Sequence, residues 1–147
     1  MNIDASIESV SKISAIANEL IGHEKINVIF EFGSRYGEDS IAFAKLYPSG
    51  TIYSFECNPN TLAECRRNVK PYQNIVLTEK AVSDVNGTVS FFKIDKDKTE
   101  TSWEDGNQGA SSLFEASGNY PVENYVQEKV DVESVTLYSF ISDNKIE

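Results

Sequence analysis

The chemistry of this chain concentrates on two carboxylates and two glycines. Glu31 and Gly33 stand at the end of a short apolar run, Gly37 follows four residues on, and Glu56 closes a second apolar run 23 residues past Gly33. A glycine-rich turn between a strand and a helix lets the backbone bend sharply and lets a ligand come close. The helix start beyond it offers free N–H groups and a partial positive charge. Spacing then decides the ligand. A dinucleotide fingerprint needs G-x-G-x-x-G, but Arg35 and Glu38 stand where its second and third glycines belong. The phosphate-gripping G-x-x-x-x-G-K-[ST] is also missing. Glu38 and Asp39 at the helix start would repel a pyrophosphate. What remains is E-x-G-x-x-x-G. Glu31 suits a cationic group such as an α-ammonium, and Glu56 can accept both hydrogen bonds of a ribose diol. An amino-acid end, a ribose and no phosphate describe S-adenosylmethionine.

Each of these residues also has a plainer reading. Gly33 and Gly37 can serve a βα turn without a ligand. Glu31 can pair with Arg35, and Glu56 can be a surface carboxylate or a cap near Pro59. Tyr36 either packs over a ligand or shields the turn. Asp84 reads as a turn residue ahead of Asn86-Gly87. Trp103 reads as an anchor for a long loop rather than a platform for an acceptor. His23 reads as a solvated loop histidine, and no residue presents itself as a catalytic base.

The elements that must position these groups follow from hydrophobic periodicity. Ile7, Val10, Ile13, Ile16 with Ala17, and Leu20 give one face of a helix over residues 7–21, capped by Asp4 or Ser6 and ended by Gly22. Residues 27–32 are a nearly continuous apolar run, suited to a strand buried on both faces. A helix follows over residues 38–47, then a strand over residues 51–56. Pro59 takes the first position of a helix running to Val69, and residues 75–78 form a third strand. Strands alternating with short helices predict a parallel sheet. After residue 80 the style changes. Asn86-Gly87 signals a hairpin or meander with a strand over residues 88–94. Residues 95–119 form a long polar loop of the kind that is functional or mobile. A strand over residues 129–135 and a short helix from Thr136 to Ser142 close the chain. The prediction is one domain over residues 1–147, with a βαβαβ core at 27–84 and a hairpin and loop at 85–135.

Composition narrows the function classes. The 147 residues are 40% apolar and 24% charged, within globular norms. Thirteen basic against 23 acidic residues give a net charge of −10, which argues against nucleic acid or an anionic membrane as partner. Two cysteines and one histidine are too few for a disulfide framework or a zinc site. No apolar run exceeds about four residues, against the ~20 of a membrane span. Met1-Asn2-Ile3-Asp4 lacks the basic start and apolar stretch of a signal peptide. The expectation is a cytoplasmic protein with reduced thiols and no metal, and a small cationic ligand stays open to it.

At this level the sequence resembles a family. Residues 30–37, Phe-Glu-Phe-Gly-Ser-Arg-Tyr-Gly, look like motif I of the class I, Rossmann-like methyltransferases, and Phe55-Glu56-Cys57-Asn58-Pro59 looks like their acidic motif II. Residues 80–84 with Asn86-Gly87, then residues 109–114, then residues 130–137 are similar in order and spacing to the FkbM-type members. The resemblance covers residues 27–143. It implies S-adenosylmethionine as cofactor and O-methylation of a small molecule or sugar. By the resemblance, Gly33, Ser34 and Gly37 would pass under the methionine part, with Glu31 near its amino-acid end. Glu56 would hold the ribose, with Cys57 and Asn58 just beyond. The loop at Lys80 and Ala81 would border the adenine through backbone groups, and Ser111 and Ser112 would face the substrate side.

The resemblance also implies a strand beyond residue 147 that carries an aspartate near the transferred methyl. The expectation is therefore a Rossmann-like parallel sheet with helices on both faces and a β-hairpin or meander insertion, incomplete relative to the seven-stranded methyltransferase sheet. Its first strand would be an apolar edge, open to a partner or a second copy. On that footing the chain is a methyltransferase, or the cofactor-binding part of one. The alternative is a non-catalytic module that binds an adenosine ligand or a protein. An NAD-dependent dehydrogenase is disfavoured by Arg35 and Glu38.

Overall fold

A computed structural model describes residues 3–120 and 122–147, with side chains from Glu8 onward. The expected core role of Ile7 and the caps from Asp4 or Ser6 concern side chains outside the described residues. The chain divides into two compact units, residues 1–56 with 62–79 and residues 57–61 with 80–147.

The first unit holds α1 (Ile3–Ile21), β1 (Val28–Phe32), α2 (Glu38–Leu46), β2 (Thr51–Phe55), α3 (Leu62–Val69) and β3 (Ile75–Thr78). Its three strands form one parallel sheet in the order β1-β2-β3. This is the βαβαβ succession read from the periodicity. Glu31 lies opposite Ser54 in the β1–β2 register. Among the described residues β1 pairs with β2 only, so its other edge is open. Because side chains alternate across a strand, Phe30 and Phe32 share one face of β1 and Ile29 and Glu31 the other. On the aromatic face Phe30 stacks on Tyr53 at 5.4 Å, and Phe32 meets Phe55 in a tilted contact at 5.5 Å between ring centres.

Two elements of this unit depart from expectation. Of the helix face expected to meet a core, Val10 is buried, but Ile13, Ile16 and Leu20 are more than half exposed, as is Ile21, and Ser14 is buried beside Val10. The helix docks on α2 through its flank, where the Tyr47 hydroxyl donates to Asn18 Oδ1 at 2.9 Å. Periodicity finds an apolar stripe but not which neighbour meets it. In addition, α3 begins at Leu62 and not at Pro59. Pro59 sits second in a turn closed by Thr61 N–H on the Asn58 carbonyl at 3.1 Å, a position its fixed φ also favours.

The second unit holds β4 (Ala81–Val82), β5 (Gly87–Ile94), β6 (Gln127–Val135) and α4 (Leu137–Asn144). Its sheet order is β4-β6-β5. The hairpin or meander expected at Asn86-Gly87 is replaced by a longer-range pairing. β6 enters between β4 and β5, parallel to the first and antiparallel to the second. Thr136 caps α4, its side chain accepting from Ser139 N–H at 3.1 Å. The polar loop after β5 carries a 3-10 turn at Gln108–Ala110 and isolated antiparallel bridges from Glu100 to Asn124 and from Ser112 to Phe92. Buried polar groups pin it, whereas the expected anchor Trp103 keeps 52% of its surface exposed. The assembly is a mixed α/β chain with a three-stranded parallel sheet and four α-helices among the described residues.

Candidate functional site

The glycine turn leaves β1 at Phe32 and enters α2 at Glu38. Gly33 and Gly37 have φ of +85° and +87°, the left-handed region where a Cβ is costly. Their surroundings differ. A Cβ on Gly33 would meet nothing within 4 Å, whereas one on Gly37 would lie 2.6 Å from Val69 Cγ1. Gly37 is thus required by the fit of the turn against α3, and Gly33 leaves open space beside the backbone. Asn68 of α3 also holds the turn, donating its amide to the Tyr36 carbonyl at 2.9 Å.

Arg35 is a non-glycine residue in the left-handed region, with φ of +52°, at the position where the dinucleotide fingerprint has a glycine. Such a residue costs about 1–3 kcal/mol and persists only where its surroundings hold it. Glu56 supplies one such hold, because its buried carboxylate accepts the Arg35 backbone N–H. The Arg35 guanidinium lies over the Tyr36 ring, 4.9 Å from its centre. The Phe55 carbonyl accepts both Gly33 N–H and Ser34 N–H at 2.9 Å. The turn is therefore bound to the end of β2 by three backbone donors.

Glu31 faces α2. Its Oε2 accepts the Ser40 hydroxyl. Ser40 Oγ lies 2.8 Å from Ser54 Oγ, which lies 2.5 Å from Ser34 Oγ. All three serines are buried. Burial pushes the Glu31 carboxyl up to about 7. Hydrogen bonds from Ser40 and Ser34 pull it back, and the negative charges of Asp39 and Glu38 raise it further. Cys65 of α3 is fully buried, and burial with the nearby carboxylates Glu56 and Glu31 pushes its thiol up to about 12.

In the first unit, Glu31, Gly33, Ser34, Gly37 and Glu56 therefore converge on one turn. Ser40 and Ser54 belong to the same cluster but escaped the sequence reading. One signal was available. Ser54 interrupts the apolar run Thr51-Ile-Tyr-Ser-Phe55, and a hydroxyl in a buried strand demands a partner.

The second unit holds Cys57, Asn58, Lys80 and Ala81. Cys57 is a half-buried cysteine outside any disulfide. Asn58 is buried, and its amide donates to Ser111 Oγ at 3.1 Å and Gln108 Oε1 at 3.4 Å. Its Oδ1 accepts Asn60 N–H at 3.0 Å. Gln108, unremarked in the sequence, also accepts from Asn60 at 3.0 Å. These bonds show Asn58 and Ser111 pinning the polar loop. Ser112 pairs with Phe92 through its backbone.

Lys80 forms an ion pair with Glu133 at 3.0 Å. It lines a polar cavity of about 440 Å³ with Asn86, Thr88, Ser139 and Asp143. Ala81 lies in β4 rather than in a loop, opposite Ser134 of β6, so part of its backbone hydrogen bonding serves the sheet. Ser83 and Asp84 shape the turn that follows, with Val85 N–H donating to Ser83 Oγ at 3.1 Å. In the first unit, the His23 ring stacks on Tyr47 at 4.8 Å, a packing role.

Among the described residues no group of three or more His, Cys, Asp or Glu is placed to hold a metal ion. No helix among them is long and apolar enough to cross a membrane.

No protein-family model matches the chain. The chain is similar to the 2-O-methyltransferase NoeI of Sinorhizobium fredii, with 34% identity over 77 residues. That stretch is 52% of this chain and 32% of the relative, so the chain matches about a third of that protein's length. The partial likeness supports a methyltransferase family.

Proposed function

We propose that this chain binds S-adenosylmethionine and serves a methyltransferase, or is its cofactor-binding part, acting on a hydroxyl of a small molecule or sugar. One observation carries the reading. A left-handed glycine turn with open space at Gly33 lies between two carboxylates, Glu31 and Glu56, at the ends of adjacent parallel strands. The likeness to a 2-O-methyltransferase supports the same class. The residues present fit the group. Glu31 would receive the α-ammonium and the Gly33 backbone would face the methionine part. Glu56 would hold the ribose while keeping the Arg35 N–H.

The cofactor, when bound, supplies a methyl already activated on a sulfonium. What is left to the protein is placement of the two reactants, an effect worth several kcal/mol. The companion expectations belong to this proposal: a small-molecule acceptor, no nucleic acid, no membrane, and a cytoplasmic setting. The non-catalytic alternative is favoured by the open edge of β1, an edge of the kind that a partner or a second copy of the chain would cover.

The test is calorimetric titration with S-adenosylhomocysteine, with Glu56→Ala beside the wild type. Micromolar binding that weakens at least about tenfold in the variant, a loss of ~1.4 kcal/mol, supports the cofactor site. Absence of binding by the folded wild type refutes it and leaves the module reading.

A further inference from the structure

Resting on that reading, we propose that Ser40, backed by Ser54 and Ser34, is a positioning residue that sets the protonation state of Glu31, so that capture of the ligand's α-ammonium is coupled to release of a proton. The geometry is a hydroxyl chain of three buried serines from two strand-end segments and a helix, ending on one carboxyl.

Each serine hydroxyl has a single proton to give. Ser40 Oγ has two neighbours that can accept it, Glu31 Oε2 and Ser54 Oγ. With Glu31 ionised, the Ser40 and Ser34 protons both go to the carboxylate, and Ser54 donates to Ser34. Every bond then points toward the charge. With Glu31 protonated, the carboxyl donates to Ser40, Ser40 to Ser54, and Ser54 to Ser34. Ser34 is left to donate to the Phe55 carbonyl, 3.2 Å away. That oxygen already accepts two turn N–H groups, so the chain ends on a crowded acceptor. The chain thus has two arrangements, one for each charge state. Ser40 weighs toward the ionised one.

The groups around the carboxyl set the opposing bias. Glu38 and Asp39 from α2 repel its charge. Cys65 of α3 lies near enough for its thiol to feel Glu31 and stays protonated. Beside it, β2 offers the uncharged Ser54, and Glu56 beyond that strand is engaged with the Arg35 N–H. An incoming ammonium opposes this acidic surrounding and displaces the proton.

Two ligands separate this from the cofactor reading itself. S-adenosylhomocysteine has the amino-acid end, and 5′-methylthioadenosine lacks it. For the wild type between about pH 5.5 and 8.5, affinity for the first should fall about tenfold per pH unit on the acid side, and affinity for the second should stay level. In Ser40→Ala the midpoint for the first ligand should move to higher pH, weakening it about tenfold near pH 7 and less above. The second ligand should be unaffected. Ser54→Ala, which removes the next link, should move the midpoint in the same direction by less, and it stands in if Ser40→Ala does not fold. Binding of both ligands with the same pH profile, or a Ser40→Ala loss that is equal for both at every pH, overturns the proposal and leaves the cofactor site standing. Binding of neither ligand by the folded wild type overturns the cofactor reading and this inference with it.

Discussion

Replacing Glu31 by Gln tests the electrostatics of the turn without any ligand. The carboxyl moves from an ordinary value of 4.5 to about 7 in the folded chain, mainly through burial. Below the unfolded value both states hold the proton and the group adds nothing. Between the two values only the folded state holds it, so each rise in pH costs folded stability. Above about 7 both states are ionised, and the folded chain bears the full penalty, on the order of 3 kcal/mol. Gln keeps an oxygen for the Ser40 hydroxyl and never ionises.

The difference in unfolding free energy, variant minus wild type, should therefore rise between about pH 4.5 and 7 by up to ~3 kcal/mol and then level off. Taking the difference cancels the titration of the other acidic residues. Urea unfolding followed by far-ultraviolet circular dichroism at several pH values measures it. A difference that stays constant across that range would mean that Glu31 is hydrated and its serine chain is of no electrostatic consequence.

The two turn glycines should respond differently to the same change. Gly37→Ala meets both a left-handed φ and Val69 Cγ1 at 2.6 Å, and should lower stability by at least about 2 kcal/mol in thermal or urea unfolding. Gly33→Ala meets only the left-handed φ, with nothing within 4 Å, and should cost about 1 kcal/mol while weakening S-adenosylhomocysteine far more than it weakens the fold. The thiols should also separate. Cys65, fully buried with its thiol pushed up to about 12, should resist a disulfide reagent at neutral pH until the chain unfolds. Half-buried Cys57 should react first, and simultaneous modification of both would contradict the packing of α3.

Much of the first unit was legible because its signals are local. The strands β1, β2 and β3 fall within a residue of the apolar runs that announced them. The turn between β1 and α2 was visible in Gly33 and Gly37, whose backbone demands are local too. What escaped depends on distant neighbours. The exposure of Ile13, Ile16 and Leu20 is set by which flank of α1 meets α2. The Asn86-Gly87 pair marks a real turn, but the strand beside β5 arrives from residues 127–135, beyond the reach of any hairpin rule. The left-handed backbone of Arg35 went unforeseen because a carboxylate 21 residues away helps to hold it. Ser40 and Ser54 look like ordinary polar residues until the register brings them to one carboxyl.

That register has a consequence for how the chain reaches its fold. Side chains alternate across a strand, so a slip of β1 by one residue would exchange its two faces. Glu31 would then face the aromatic side with Tyr53 and Phe55, and a phenylalanine would meet Ser40. A carboxylate stripped of its hydroxyl donors in apolar surroundings costs several kcal/mol, whereas an apolar residue at that position would slide past at little cost. The acidic residue in an otherwise apolar strand thereby acts as a proofreading mark. Misaligned pairings are penalised while the sheet is still assembling, and only the alignment that sets Glu31 against Ser54 is left to go forward.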